Sequence, residues 1–375
     1  MRVKILLVIL SILLSLGMAE GVLRIHDFYL SQRYGPEGRE DDLWRYDELL
    51  GWKHRENTTV TFSSKQRRFK ALCTTNSHGL RDEEYSYEKP KGMLRILLLG
   101  DSAAAGLEVE KGEVVDSVLE RLIRLKRPCE VINAGVRGYG TDQSYLYLIH
   151  EGIKYDPDIV LYFFVDNDLN NNITIHDRRK KFGKSYFVLE KGDLLLQGVA
   201  VPHSFVPNDR WLMSSPQEKP FVARMKPYLQ EHSLIYRGVV PFIRNIKPFE
   251  AILVRMGLID AEEVTPSGVS FVLDPRWQMT KALIKAMKEF CDQKGIRYAV
   301  LPFTAGIDRP SSHKTPIEIV TEQLGVNLIE SRDVFFKESK GTQKFCFQKD
   351  PHWNAKGHAL AAKVIFEYLK EKKWF

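Results

Sequence analysis

Residues Arg95-Ile96-Leu97-Leu98-Leu99-Gly100-Asp101-Ser102 carry four apolar residues straight into Gly-Asp-Ser, and a helical pattern begins directly after. An unbroken apolar run of this length fits a strand buried on both faces, as in a parallel sheet covered by helices. Gly100 permits a sharp turn at the strand's carboxyl end, where open α/β sheets place their ligands. Asp101 and Ser102 then stand at the mouth of the next segment, with backbone N–H groups facing outward. On its own, Gly-Asp-Ser reads as a turn with a capping residue. The rest of the chain gives it a chemical reading.

The pattern alternates from residue 95 onward. A helix near Glu113–Lys126 carries Val114, Val115, Val118, Leu119, Leu122 and Ile123 on one face. A strand over Glu130–Asn133 ends at Ala134-Gly135, and a helix over Thr141–Lys154 is broken by Asp156-Pro157-Asp158. The most apolar strand, Ile159–Val165, runs into Asp166-Asn167-Asp168. The alternation resumes with a helix at Gln278–Lys294, a strand at Ile296–Leu301, a helix at Thr315–Leu324, a short strand at Val326–Ile329 and a last helix from beyond Asn354 to Lys370. Strand–helix–strand repetition predicts an α/β fold with a parallel sheet and right-handed crossovers.

Between about 172 and 270 the period fails, and the chain reads as an insertion after the third strand's carboxyl end. Within it, Tyr186–Leu189, a turn at Glu190-Lys191-Gly192-Asp193, and Leu194–Leu196 form a hairpin signal. Ser233–Gly257 reads as helical, interrupted by Pro241 and Pro248. From its position the insertion is expected to overhang the site as a lid or substrate wall.

At the other end, Arg2 and Lys4 precede an almost wholly apolar run from Ile5 to Ala19. This is a signal peptide or a signal anchor. Gly17-Met18-Ala19 resembles a cleavage site, but the helical pattern continues through Val22-Leu23-Arg24-Ile25, which favours an uncleaved anchor over residues 1–25. The charge before the segment puts the body outside the cytoplasm, periplasmic or extracellular, or secreted if the segment is removed. Residues 26–92 are polar and aromatic, with short strands expected at Thr58–Phe62 and Phe69–Cys73; they read as a membrane-proximal segment packed on a core domain of 93–375.

Lys and Arg number 55 against 48 Asp and Glu, a formal charge of +7. The densest basic runs, 65–70 and 178–181, form no stripe and belong to no nucleic-acid module, so nucleic acid is not an expected partner. A solvated face, or attraction to anionic lipid or acidic polysaccharide, fits better. Cys73, Cys129, Cys291 and Cys346 lack the spacing of a metal site or redox pair. The glycines from Gly135 to Gly140 do not fit a dinucleotide-binding loop, and no G-x-S-x-G elbow surrounds Ser102. No cofactor or metal is expected.

Polar residues of complementary kinds stand at the strand ends. Ser102 is a candidate nucleophile and needs a base. His352 is the candidate, since a neutral imidazole takes the proton and returns it to the leaving group. Asp350, with Pro351 between them, is placed to hold the other ring nitrogen. The Ser102 N–H, the Gly135 N–H and the Asn167 amide are candidate donors to the developing oxyanion.

Taken together, Gly100-Asp101-Ser102, Asn133-Ala134-Gly135, Asn167-Asp168 and Asp350-Pro351-His352 resemble, in order, the four blocks of the SGNH (GDSL-type) hydrolases. The likeness covers residues 93–172 and 270–375. Two departures stand out: one residue rather than two separates Asp350 from His352, and Ala103-Ala104-Ala105 replaces bulkier residues after the serine. The resemblance implies a three-layer, flavodoxin-like α/β/α fold and ester hydrolysis or acyl transfer without metal. The expected activity is hydrolysis of acyl esters, acetyl among them, on an acylated carbohydrate or lipid substrate. An O-acetyltransferase for exported polysaccharide and a degenerate glycan-binding protein are the alternatives.

Overall fold

The computed structural model describes residues 2–34, 40–64, 68–177, 182–201, 274–305, 314–347 and 350–375. It divides into two compact units, residues 1–33 with 207–269 and residues 34–206 with 270–375. In the first unit, helix α1 (Arg2–Tyr34) is one continuous helix of 33 residues. It extends nine residues past the expected end of the anchor, into a stretch read as polar and aromatic. Leu14, Met18, Val22, Ile25, Phe28 and Tyr29 on it are exposed. Among the described residues no helix is long and apolar enough to cross a membrane; the side chains of most of the run 5–19 lie outside them.

The second unit begins with two antiparallel hairpins, β1 (Trp44–Asp47) with β2 (Gly51–His54), and β3 (Thr59–Ser64) with β4 (Phe69–Thr74). The alternating core follows: β5 (Leu94–Gly100), the one-turn α2 (Ser102–Ala105), α3 (Val115–Arg124), β6 (Cys129–Asn133), α4 (Thr141–His150), β7 (Ile159–Phe164) and the short α5 (Asp168–Asn171). Two small hairpins come next, β8 (His176–Asp177) with β9 (Phe182–Gly183) and β10 (Tyr186–Glu190) with β11 (Asp193–Gln197). The chain ends with α6 (Pro275–Gln293), β12 (Arg297–Pro302), α7 (Pro316–Leu324), β13 (Asn327–Leu328), α8 (Arg332–Ser339) and α9 (Ala355–Glu371).

Five strands make one sheet in the order β13-β12-β7-β5-β6, and every neighbouring pair is parallel. All residues of β5 and β7 are buried, because both faces of the sheet are covered. On one face Leu97, Leu99, Val160, Tyr162 and Val300 pack in a core that includes Leu146 of α4 and Leu283 and Met287 of α6. On the other, Ile96, Leu98, Leu161, Phe163 and Leu301 pack with Leu119 and Ile123 of α3 and Ala362 and Ile365 of α9. This is the three-layer arrangement expected from the alternation, with the flavodoxin-like strand order.

The stretch before β5 is tied to this core in part by a buried guanidinium. Arg95, fully buried in β5, donates to the carbonyls of Ser86 at 2.7 Å, Tyr87 at 3.0 Å and Tyr155 at 2.8 Å, and pairs with Glu130 at 2.6 Å. The insertion's expected hairpin forms as β10 and β11, whereas its helical stretch Ser233–Gly257 and its role as a lid fall outside the described residues. All four cysteines are free and buried.

Candidate active site

The strand order reverses direction between β5 and β7, with β6 on the outer side of β5. Loops leaving the carboxyl ends of β5 and β7 diverge there and leave a crevice. Gly100 ends β5 beside Phe163 of β7, with φ +148°, and a Cβ on it would lie 2.9 Å from the Phe163 Cβ and 3.0 Å from its carbonyl oxygen. Only glycine fits that turn. Asp101 then caps α2, its carboxylate accepting the Ala103 N–H at 2.9 Å. Ser102 is thereby the first residue of α2, and among the described residues its N–H has no hydrogen-bond partner.

The imidazole arrives from the opposite end of the sequence. Trp353, fully buried, stacks on Phe335 with ring centroids 5.4 Å apart and donates its indole N–H to the Thr304 carbonyl at 2.7 Å. Asn354 caps α9 by accepting the Lys356 N–H at 2.9 Å, and its amide donates to the Cys346 carbonyl at 2.9 Å. These anchors hold the 350–352 loop against α2. His352 Nε2 lies 2.8 Å from the Ser102 hydroxyl, and His352 Nδ1 lies 2.5 Å from Asp350 Oδ1.

The short spacing between Asp350 and His352 costs nothing in geometry. The same Asp350 oxygen also accepts the His352 backbone N–H at 2.7 Å, so the carboxylate folds back over its own turn and meets the ring. With Asp350 on Nδ1, the ring proton sits there and Nε2 is left as the acceptor for Ser102. Ser102 also lies 3.3 Å from Asp101 Oδ2, a longer contact than that to the imidazole.

The three expected oxyanion donors fare differently. Asn167 follows β7 and its Nδ2 donates to Asp101 Oδ2 at 3.0 Å, which uses one of its two N–H groups. Asp168 steadies this turn by accepting Tyr162 Oη at 2.6 Å and the Val165 N–H at 3.0 Å. Burial pushes the Asp168 carboxyl well above its ordinary range. Gly135 is held within its own loop. Its N–H donates to Asn133 Oδ1 at 2.9 Å. A Cβ there would lie 2.6 Å from the Ala105 nitrogen and 2.7 Å from the Ala104 Cβ, so glycine is required for the approach of the loop to α2.

Groups not singled out from the sequence surround this triad. Glu108, buried two residues after α2's αL cap at Gly106, pairs with the buried Arg137 at 2.7 Å and lies 3.9 Å from His352 Nδ1. Burial alone would push the His352 ring down; Glu108 and Asp350 outweigh it, against Arg137, and the ring is raised above its ordinary value. Behind α2, Asn133 donates to the Ala104 carbonyl at 2.8 Å and to Asp116 at 2.6 Å. Lys111 bridges Asp116 and Asp82, the latter at 2.7 Å, and burial raises Asp82 to about 7. A signal for Arg137 exists in the sequence, since it is a lone charge in an apolar, glycine-rich loop, whereas Glu108 is masked by Glu110 and Lys111 close behind it.

No protein-family model matches the sequence, and no curated protein matches it. The fold is similar to solved structures of low identity. One is an acetyl xylan esterase, AlAXEase, at 14% identity and TM-score 0.36, covering 74% of this chain and 100% of that one. Another is the acetylxylan esterase Axe2 from Geobacillus stearothermophilus, at 10% identity and TM-score 0.38, covering 74% and 93%. A third is a protein from Desulfitobacterium hafniense described as lipolytic and of the G-D-S-L family, at 11% identity and TM-score 0.37, covering 73% and 98%. The likeness of the chain to the SGNH family is that of its four sequence blocks. The site's assignment rests on its own geometry.

Among the described residues no three His, Cys, Asp or Glu side chains are grouped to hold a metal ion. The arrangement itself can deliver a serine alkoxide to an electrophilic carbon, with a base in contact and N–H donors beside it.

Proposed function

We propose that this protein is a serine-dependent carboxylic ester hydrolase, held outside the cytoplasm by α1, that removes acyl groups from a carbohydrate or lipid. The observation that carries the reading is the Ser102–His352 contact of 2.8 Å, with Asp350 on the far ring nitrogen, across 250 residues of sequence. Ser102 Oγ attacks the ester carbonyl while its proton passes to His352 Nε2. The carbonyl oxygen becomes an oxyanion facing the Ser102 N–H and the Asn167 amide. His352 then gives the proton to the departing alkoxide, leaving Ser102 acylated. Water repeats the sequence and frees the acid.

The anchor is supported by the basic residues Arg2 and Lys4, the apolar run 5–19, and the continuation of one helix to Tyr34 with exposed apolar side chains such as Val22 and Phe28. Acetyl is the acyl group to test first.

The full-length protein in detergent is assayed on p-nitrophenyl acetate, longer-chain esters and acetylated sugars, and then with a fluorophosphonate probe. Wild-type protein is expected to hydrolyse a short ester and to be labelled at Ser102. Wild-type rates in Ser102→Ala would sink the reading. Acetylated glycan formed above the hydrolysis background, when acceptor glycan is supplied, would turn it into a transferase.

A further inference from the structure

Two features of the Glu108–Arg137 pair are not explained by folding alone. Both side chains are buried, and replacing such an ion pair by apolar residues is commonly neutral or stabilising. The pair nonetheless sits against the candidate base: Glu108 Oε1 accepts Arg137 at 2.7 Å and lies 3.9 Å from His352 Nδ1. Its position is also fixed with care. Arg81, itself buried, donates to the carbonyls of Gly106 at 2.6 Å and Val109 at 2.5 Å, clamping the segment that carries Glu108 on both sides. On the partner side, Arg137 lies over the Phe62 ring at 5.3 Å, and its backbone carbonyl accepts the Trp52 indole N–H at 3.3 Å.

We propose that Glu108 is a positioning residue for the reaction assigned above: a second carboxylate that shares His352 with Asp350 and, balanced by Arg137, stabilises the imidazolium. That cation forms when the Ser102 O–H bond breaks, the Nε2–H bond forms and Oγ bonds to the substrate carbon. Asp350 fixes the ring through a hydrogen bond, whereas Glu108 acts on its charge from 3.9 Å. Arg137 moderates Glu108, so that the base still releases its proton to the leaving group. The groups that face His352 are Asp350 on its own loop, Ser102 and the capping Asp101 on α2, Glu108 after α2, Arg137 after β6, and the buried His358 on α9.

The inference rests on the proposed function, but its test reads His352 directly. The full-length protein carrying 13C-labelled histidine is titrated by NMR, with the His352 signal identified by its loss in His352→Gln. Removing an opposite charge within about 4–6 Å shifts a titration by about one unit or more. Glu108→Gln is therefore expected to lower the His352 midpoint by about one unit, and Arg137→Gln to raise it. A merely structural role would not move the two in opposite directions. Midpoints that stay put, or that move the same way, would overturn the proposal. Should one variant fail to fold, the other decides alone, since each has a required direction; Glu108→Asp is expected to restore most of the loss. Opposed midpoints in a protein with no ester hydrolysis would sink the enzyme reading and keep only the charge coupling of Glu108 and Arg137 to His352; unmoved midpoints in an active esterase would overturn the role of Glu108 and leave the enzyme reading standing.

Discussion

Gly135→Ala discriminates between two roles for this glycine. The substitution keeps the backbone N–H, and Gly135 has a φ that any residue adopts, so the variant tests space alone. Its Cβ would lie 2.6 Å from the Ala105 nitrogen, 2.7 Å from the Ala104 Cβ and 2.8 Å from the Ala104 carbonyl carbon, where ordinary contact begins at 3.4 Å. Two of those atoms are backbone, so α2 must shift as a body by about 0.6–0.8 Å. It has no free direction: Asn133 holds the Ala104 carbonyl at 2.8 Å and Arg81 holds that of Gly106 at 2.6 Å. Such a shift stretches the Ser102–His352 contact from 2.8 Å toward about 3.5 Å, beyond a useful hydrogen bond. We expect kcat to fall by about 10–100-fold, since misplacement near 1 Å costs about that much. Overpacking should cost about 1–3 kcal/mol, lowering Tm by about 2–4 °C per kcal/mol. Initial rates, a melting curve and fluorophosphonate active-site titration together separate slow chemistry from lost protein. Ala104→Gly in the same protein removes only the side-chain contact and should restore part of the rate. An alanine variant with unchanged kcat and Tm would refute the close-approach argument.

Because the His352 ring is raised and the reaction needs its neutral form, kcat/KM should climb with pH to a plateau above the ordinary imidazole value near 6.5; a plateau reached well below it would implicate another base. Asn167→Ala should lower kcat by about 10²–10³ with little change in KM, the loss expected of one oxyanion donor, and a pure KM effect would reassign the side chain to ground-state binding. His358 is buried and neutral, pushed down to about 4, with its Nδ1 unpartnered among the described residues. Its contribution is therefore present above the unfolded value near 6.5 and lost as pH falls toward 4, up to about 3 kcal/mol, and His358→Leu should flatten the acid limb of stability read by urea unfolding.

The parts legible in the sequence were those with a period or an apolar run. Strands β5, β6 and β7 stand where the runs 96–99, 130–133 and 159–165 put them, because a parallel strand buried on both faces must be apolar throughout. The hairpin at 186–197 declared itself by Glu190-Lys191-Gly192-Asp193 between two short apolar runs. Strands β1 and β2 did not, being four residues each, Trp44-Arg45-Tyr46-Asp47 and Gly51-Trp52-Lys53-His54, too short for their two-residue alternation to stand out in a polar, aromatic stretch. Helix α8 was hidden likewise, since only Phe335 and Ser339 of its eight residues are buried. In the site, Ser102, His352 and Asp350 could be named because their chemistry needs those types in those loops. The engagement of the Gly135 N–H by Asn133 was not legible, because it depends on a side-chain rotamer within the loop.

The buried charges explain why one turn of helix can carry a nucleophile. Helix α2 has four residues, far too few to be stable by itself. Three of its residues are alanines, which hold it only by small apolar contacts. What fixes it is polar and comes from elsewhere: Asp101 at its start, Asn133 on the Ala104 carbonyl, and Arg81 on the carbonyls that follow it. Asn133 is in turn held by Asp116, whose other oxygen meets Lys111, and by Asp82, which accepts its backbone N–H at 2.7 Å. Each member is satisfied only in one geometry, so the network trades burial cost for a single position of Ser102. Asn133→Ala is the sharpest test of that trade. It deletes the donor to Ala104 and Asp116 and the acceptor for Gly135 at once, leaving buried polar groups unpaired at about 1–3 kcal/mol each. If position is what the network secures, the loss in kcat should exceed the share of protein unfolded at the assay temperature. A rate that falls only in step with the folded fraction would show that the network serves stability and nothing more.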